Sequence, residues 1–166
     1  MMVPCHDRPR HDASTGRRSS GPAALELCLR LPADWLSPSI GRRRLQDWLA
    51  AHKWPAEHAD DVVLAVSEAL SNSIEHGYGV PRDGVGHPGS VEVSARIVAG
   101  SGAVRRVETT VRDDGRWRPP PDAGAHRRNG IPLMRAIMDT VGIEGTEQGT
   151  TVVLLSRPVA VPAPRG

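Results

Sequence analysis

Three polar side chains stand one helical turn apart in EALSNSIEHGYG: Glu68, Asn72 and His76. At about 100° per residue, with Glu68 as origin, Asn72 falls near 40° and His76 near 80°. Val62, Val66, Ala69, Leu70 and Ile74 fill the opposite arc, from about 100° to 240°. One face is therefore core, and the other carries a carboxylate, an amide and an imidazole in line. A neutral Asn oxygen suits Mg²⁺, which keeps waters and takes its remaining ligands from phosphates. A Glu one turn away can orient and deprotonate an attacking hydroxyl. A plain amphipathic helix gives the same pattern, although this outer face is short of the Lys and Arg that usually solubilise one. The functional reading needs a nucleotide pocket elsewhere in the chain.

Three further stretches meet that need, each with an ordinary alternative. In VRDDGRW, a strand ending in Asp113-x-Gly115 delivers a carboxylate beside a residue without a side chain. The carboxylate can accept from an exocyclic amine such as adenine's, and the glycine lets a flat ring lie against the backbone; an Asp-Gly turn reads the same way. In RRNGIPLMRAIMD, Gly130 immediately precedes a helix, whose free N–H groups can bind phosphate. A simple helix cap is the alternative. Gly149-Thr150-Thr151 opens the last strand, as hairpin geometry also requires.

The elements that must position these residues follow from periodicity. Leu25, Leu27, Leu29 and Leu31 alternate with polar partners, a strand. Ser37 and Pro38 open a helix that runs to about Lys53 and is expected to bury Ile40, Leu45, Trp48 and Leu49. Pro55 starts a second helix ending near Gly77, and GVPRDGVGHPGS is turn chemistry throughout. Val91, Val93, Ala95 and Ile97 pair as a hairpin with Val107, Thr109 and Val111. A Pro-rich loop, a helix from about Ile131 to Thr140 and two strands near 141–145 and 150–157 complete the order β-α-α-β-β-α-β-β. That order predicts an α/β two-layer sandwich, a mixed, mostly antiparallel sheet with its helices on one face. The ordered domain is expected over 23–157, with disordered tails at 1–22 and 158–166.

Composition narrows the function classes. A chain of 166 residues is one domain's worth. No run of 18 apolar residues occurs, so no membrane span is expected. The N-terminus lacks the apolar block of a signal peptide, which argues for a cytoplasmic protein. Cys5 and Cys28 make neither a disulfide framework nor a metal cluster. Arginines cluster, but the net charge is only +2, and with no Phe and one Tyr there are few stacking platforms. No direct nucleic-acid contact is expected.

The four motifs, in this order, resemble those of the GHKL-type ATPases. Among these the chain is most similar to the anti-sigma-factor serine/threonine kinases of bacterial partner-switching systems, the SpoIIAB and RsbW type. EALSNSIEHGYG resembles the family's N box, DDG its first glycine box, RRNGIPLMRAIMD its second and QGTTVVLLSR its last. The resemblance spans roughly residues 23–157 and implies the histidine-kinase-like ATPase fold, with ATP and Mg²⁺ as cofactors. It implies Glu68 as general base and Asn72 as the Mg²⁺ ligand. It places Asp113 on the adenine amine with Gly115 beneath the ring, Gly130 at the phosphates, and Thr150 behind the adenine through Asp113 or a water. His76 would lie near the phosphates.

Two positions depart from the family pattern: Trp117 replaces the second glycine of the first box, and Arg128 replaces the first glycine of the second. Arg128 either stiffens the loop or, with Arg127, supplies a cation to the γ-phosphate, and Pro119, Pro120 and Pro121 stiffen the same loop. The partners implied are a sigma factor and an anti-sigma-factor antagonist of the STAS type, and family members often dimerise through a sheet edge and the first helix. The leading expectation is an anti-sigma factor that phosphorylates its antagonist. The alternative is a sigma-factor- or antagonist-binding module that has kept the fold and lost the catalysis.

Overall fold

The computed structural model describes residues 26–80, 86–116 and 130–161. Alternating Leu positions form β1 (Glu26–Ala33), an edge strand whose Leu31 is buried. Helix α1 (Ser37–Ala51) has Pro38 in its first turn, where proline's missing N–H costs nothing. Asp34 Oδ1 accepts from the Leu36 N–H at 2.8 Å, and the Ser37 hydroxyl donates to the Pro32 carbonyl at 2.6 Å, tying the helix start to β1. Lys53, at φ 53°, makes the left-handed turn after α1. Arg105 donates to the carbonyls of His52 and Lys53 at 3.0 and 2.9 Å.

Helix α2 (Ala56–Asn72) follows Pro55 and continues into a single π-helical turn, Ser73–Gly77. A hairpin of β2 (His87–Ala99) and β3 (Val104–Asp113) comes next, then α3 (Gly130–Ile137), β4 (Thr140–Thr146), β5 (Gly149–Leu155) and a two-residue β6 (Val159–Ala160). The strand order is β1-β2-β3-β5-β4, with β6 on β3. The sheet is mostly antiparallel as predicted; indeed every pairing among the described residues is antiparallel. Helices cover one face. Val62, Val66, Ala69, Leu70 and Ile74, the arc expected inside, are all at most 1% exposed, and they meet Val91, Val93, Val111 and Leu154 from the sheet. Truncating such a residue to Ala costs roughly 2–5 kcal/mol.

Three expectations are corrected. Ile40 is 45% exposed rather than buried. The core stripe of α1 runs through Gly41, Leu45 and Trp48, and a Cβ on Gly41 would come within 2.7 Å of Leu70 Cδ1, so a bare glycine fills the place assigned to Ile40. The turn-like segment before Val91 is already strand from His87, paired back to Ala33 across a register shift. The chain past residue 157 is not wholly tail: Val159 is buried, and Val159–Ala160 pair with Arg105 and Val104. That short strand occupies the part of β3's edge beyond its pairing with β5. Residues 1–22 lie outside the described residues. No helix among the described residues is long and apolar enough to cross a membrane.

Candidate functional site

The β3–β5 register places Asp113 opposite Thr150 at the end of the central strands. Asp113 is 2% exposed. Its Oδ1 accepts from the Gly115 N–H at 3.1 Å and from the Thr150 N–H at 3.2 Å. Its Oδ2 is buried and has no hydrogen-bond partner among the described residues. Burial pushes the carboxyl above the ordinary aspartate range, while the Ser73 hydroxyl and the Thr150 and Gly115 N–H groups pull the other way. A buried carboxylate oxygen without a donor costs free energy unless something supplies one. Oδ1 is anchored by backbone, Oδ2 is buried without a hydrogen bond of its own among the described residues, and the Ser73 hydroxyl is the side-chain donor beside the carboxyl.

Four glycines shape the site, three of them at this end. A Cβ on Gly115 would lie 2.5 Å from the Gly77 carbonyl oxygen, so the two backbones touch. A Cβ on Gly77 would lie 3.1 Å from Asp113 Oδ1. Gly149 sits at φ +130°, and a Cβ there would fall 2.0 Å from the Asp113 carbonyl oxygen. The fourth, Gly130, belongs to the other end of the site: a Cβ would lie 2.9 Å from Glu68 Oε2 and 3.4 Å from Asn72 Nδ2. The first residue of α3 is thus set directly on the Glu68 and Asn72 side chains of α2. Both side chains are half-buried, and no hydrogen bond among the described residues fixes either one.

The structure therefore brings together Glu68, Asn72 and Gly130 at one end, and Asp113, Gly115 and Thr150 at the other. His76 is exposed on the π-helical turn, and no hydrogen bond or ion pair among the described residues holds it. The turn breaks the 3.6-residue period, so the wheel that aligned His76 with Asn72 does not extend past Ser73. Arg127, Arg128 and Trp117 lie outside the described residues. Gly115, expected beneath a ring, has a further reason to be glycine in its contact with Gly77. Sequence reasoning missed Gly77 as a packing residue, taking it as a helix stop, and missed Ser73, Tyr78 and Asp114. The pair of glycines flanking Tyr78 was the available signal, since a helix stop needs only one. Gly79, at φ +66° and with open space around it, is that one.

The family described as histidine kinase-like ATPase domain matches residues 37–155, well over half of the chain. A curated relative, an anti-sigma F factor of Clostridium novyi, is 29% identical over 113 residues, covering 61% of this chain and 71% of its own length. The solved structure of the RsbU and RsbW domains of Rv1364c from Mycobacterium tuberculosis superposes with a TM-score of 0.62 at 27% identity. It covers 83% of this chain, whereas this chain spans only 34% of that one.

Proposed function

The chain belongs to the histidine kinase-like ATPase domain family, and from that premise we propose that it is a cytoplasmic, ATP- and Mg²⁺-dependent serine/threonine kinase that acts as an anti-sigma factor. Its protein partners are a sigma factor and a STAS-type antagonist, with a homodimer as the working assembly. The observation that carries the nucleotide part is Asp113 Oδ2 at the end of β3, a buried acceptor without a hydrogen bond of its own among the described residues. An adenine amine supplies the missing hydrogen bond. Gly130, without a side chain at the first position of α3, would let a phosphate approach the free N–H groups of that helix N-terminus.

Asn72 would be the protein ligand of Mg²⁺, which when bound offsets the phosphate charge. Glu68 would accept the proton of a Ser or Thr hydroxyl as its oxygen bonds to the γ-phosphorus and ADP departs. Thr150 would act through its N–H, holding Asp113 Oδ1 so that Oδ2 faces the base. Arg127 and Arg128 would supply cations to the phosphates. Support for the regulatory role comes from the curated relative, itself an anti-sigma factor.

The test has two stages. A Mg²⁺-dependent thermal shift with ATP that disappears in Asp113→Asn supports the site; no shift in the wild type at millimolar ATP sinks it. Phosphotransfer to a cognate antagonist, lost in Glu68→Ala, then supports the kinase. Nucleotide binding without phosphotransfer leaves the second reading, a protein-binding module on the same fold.

A further inference from the structure

Tyr78 directly follows Gly77, and Asp114 directly follows Asp113. Their side chains meet. The Tyr78 hydroxyl hydrogen-bonds Asp114 Oδ1, lies 2.6 Å from the Ser90 carbonyl oxygen and accepts from the Asp114 N–H at 3.3 Å. One hydroxyl thereby joins the chain after α2, the start of β2 and the end of β3. Burial, and then the hydrogen bond to Asp114, push the phenol's ionisation upward, so it stays a donor through the neutral range. The ring is equally seated. A Cβ on Gly89 would come within 2.2 Å of Tyr78 Cε1, and the His87 ring stands 5.0 Å away, tilted by 32°.

We propose that Tyr78 is a positioning residue for base specificity: by clamping Asp114 it keeps Asp113 Oδ2 aimed so that a 6-amino purine is accepted and a 6-oxo purine refused. The proposal rests on the nucleotide reading above. Its path is short. Tyr78 adjoins Gly77, whose carbonyl lies against Gly115; Gly115 donates the N–H that orients the Asp113 carboxylate through Oδ1. Asp114 links the two, bonded in sequence to Asp113 and Gly115 and hydrogen-bonded to Tyr78. Releasing the clamp removes the side-chain tie between Asp114 and the Ser90 carbonyl, leaving the 113–115 segment held on that side by the Val91–Asp113 pairing and the Gly77–Gly115 contact alone among the contacts named here.

Direction is what a carboxylate acceptor needs in order to discriminate. Towards an amine it makes a charge-assisted hydrogen bond. Towards a carbonyl at the same ring position it meets another acceptor across a dry gap, which costs the unmet bond and adds repulsion. A carboxylate that swings can evade the repulsion and blur the choice.

The experiment is calorimetric titration of the full chain with ATP and with inosine triphosphate, both with Mg²⁺, in wild type, Tyr78→Phe, Asp114→Ala and Asp114→Asn. The expected result is a wild-type preference for ATP that falls about tenfold or more in Tyr78→Phe and Asp114→Ala. Asp114→Asn keeps an acceptor for the hydroxyl and should stay within about threefold of wild type. Asp114 is exposed, so its variants disturb no core and carry the test even if Tyr78→Phe fails to fold. A merely structural clamp would lower the melting temperature and weaken both nucleotides alike; an unchanged ratio in Tyr78→Phe and Asp114→Ala overturns the proposal while leaving the site intact. Absence of ATP binding in the wild type, or binding indifferent to Asp113→Asn, overturns the underlying site reading and the clamp with it.

Discussion

The two ends of the site are built differently. At the Asp113 end the partners are backbone N–H groups, and three glycines stand where a methyl group would meet neighbouring atoms at 2.0 to 3.1 Å. At the Glu68–Asn72 end the candidate groups are half-buried side chains with no hydrogen bond among the described residues, and the close approach at Gly130 is to the far end of a flexible Glu. Recognition of a flat base rewards a frame that cannot move. Phosphoryl transfer between two large molecules needs side chains that settle only when both are present. Substitutions at the first end should therefore be read mainly in stability and affinity, and those at the second mainly in turnover.

The largest effect is expected from Gly149→Ala. A positive φ and a 2.0 Å approach to the Asp113 carbonyl oxygen combine strain with overpacking. A loss of about 4 kcal/mol is expected, roughly 10 °C in melting temperature by calorimetry. A loss below 1 kcal/mol would show that the β3–β5 end is softer than the geometry implies.

Next comes Glu68→Ala, which should lower phosphotransfer by about a hundredfold or more while leaving melting temperature and ATP affinity near wild type. Single-turnover assays separate the two. An equal loss of affinity would mean that the two ends are not independent.

Asp113→Asn should weaken ATP by about tenfold or more, because an amide N–H₂ turned to the Oδ2 position meets the adenine amine donor to donor. The same variant sharpens the comparison through pH. Burial raises the Asp113 pKa, so the folded state prefers the protonated form. That contribution to stability is complete below the unfolded aspartate's pKa and is lost as pH rises through the raised value. Denaturant titrations of the ligand-free protein should show this loss in the wild type and not in Asp113→Asn, which should be no less stable at neutral pH. Nucleotide, by donating to Oδ2, should draw the pKa back down, so ATP affinity should fall as the solution is acidified into the range where Asp113 takes up its proton.

The smallest effect overall is expected at Gly130. The contact at 2.9 Å is with Glu68 Oε2, which can rotate away, so Gly130→Ala should cost less than about 1 kcal/mol. Displacing Glu68 should nonetheless cut turnover several-fold, seen as a fall in kcat with KM for ATP little changed.

Much of this was legible in the sequence. Period-two and period-3.6 patterns located the strands and both long helices, because burial of one face is written into residue order. Glu68, Asn72, Asp113, Gly130 and Thr150 could be named as candidates because each stands out in its own side chain or at a helix or strand end. Ile40 was misplaced because periodicity cannot show that Leu70 comes too close at Gly41 for anything larger than hydrogen. Val159–Ala160 read as tail because two residues hold no period, and the edge of β3 beyond its pairing with β5 makes them a strand.

The sequence by itself determined which residues alternate, which face is core, and where carboxylate, amide and glycine recur at element ends. Those are local properties, set by propensity and spacing. Only the tertiary structure decided that Gly77 touches Gly115, that Tyr78 holds Asp114, and that Asp113 keeps one oxygen satisfied by backbone and the other buried without a hydrogen bond of its own among the described residues. Each of those depends on close approach between segments distant along the chain, and no one-dimensional pattern encodes a distance.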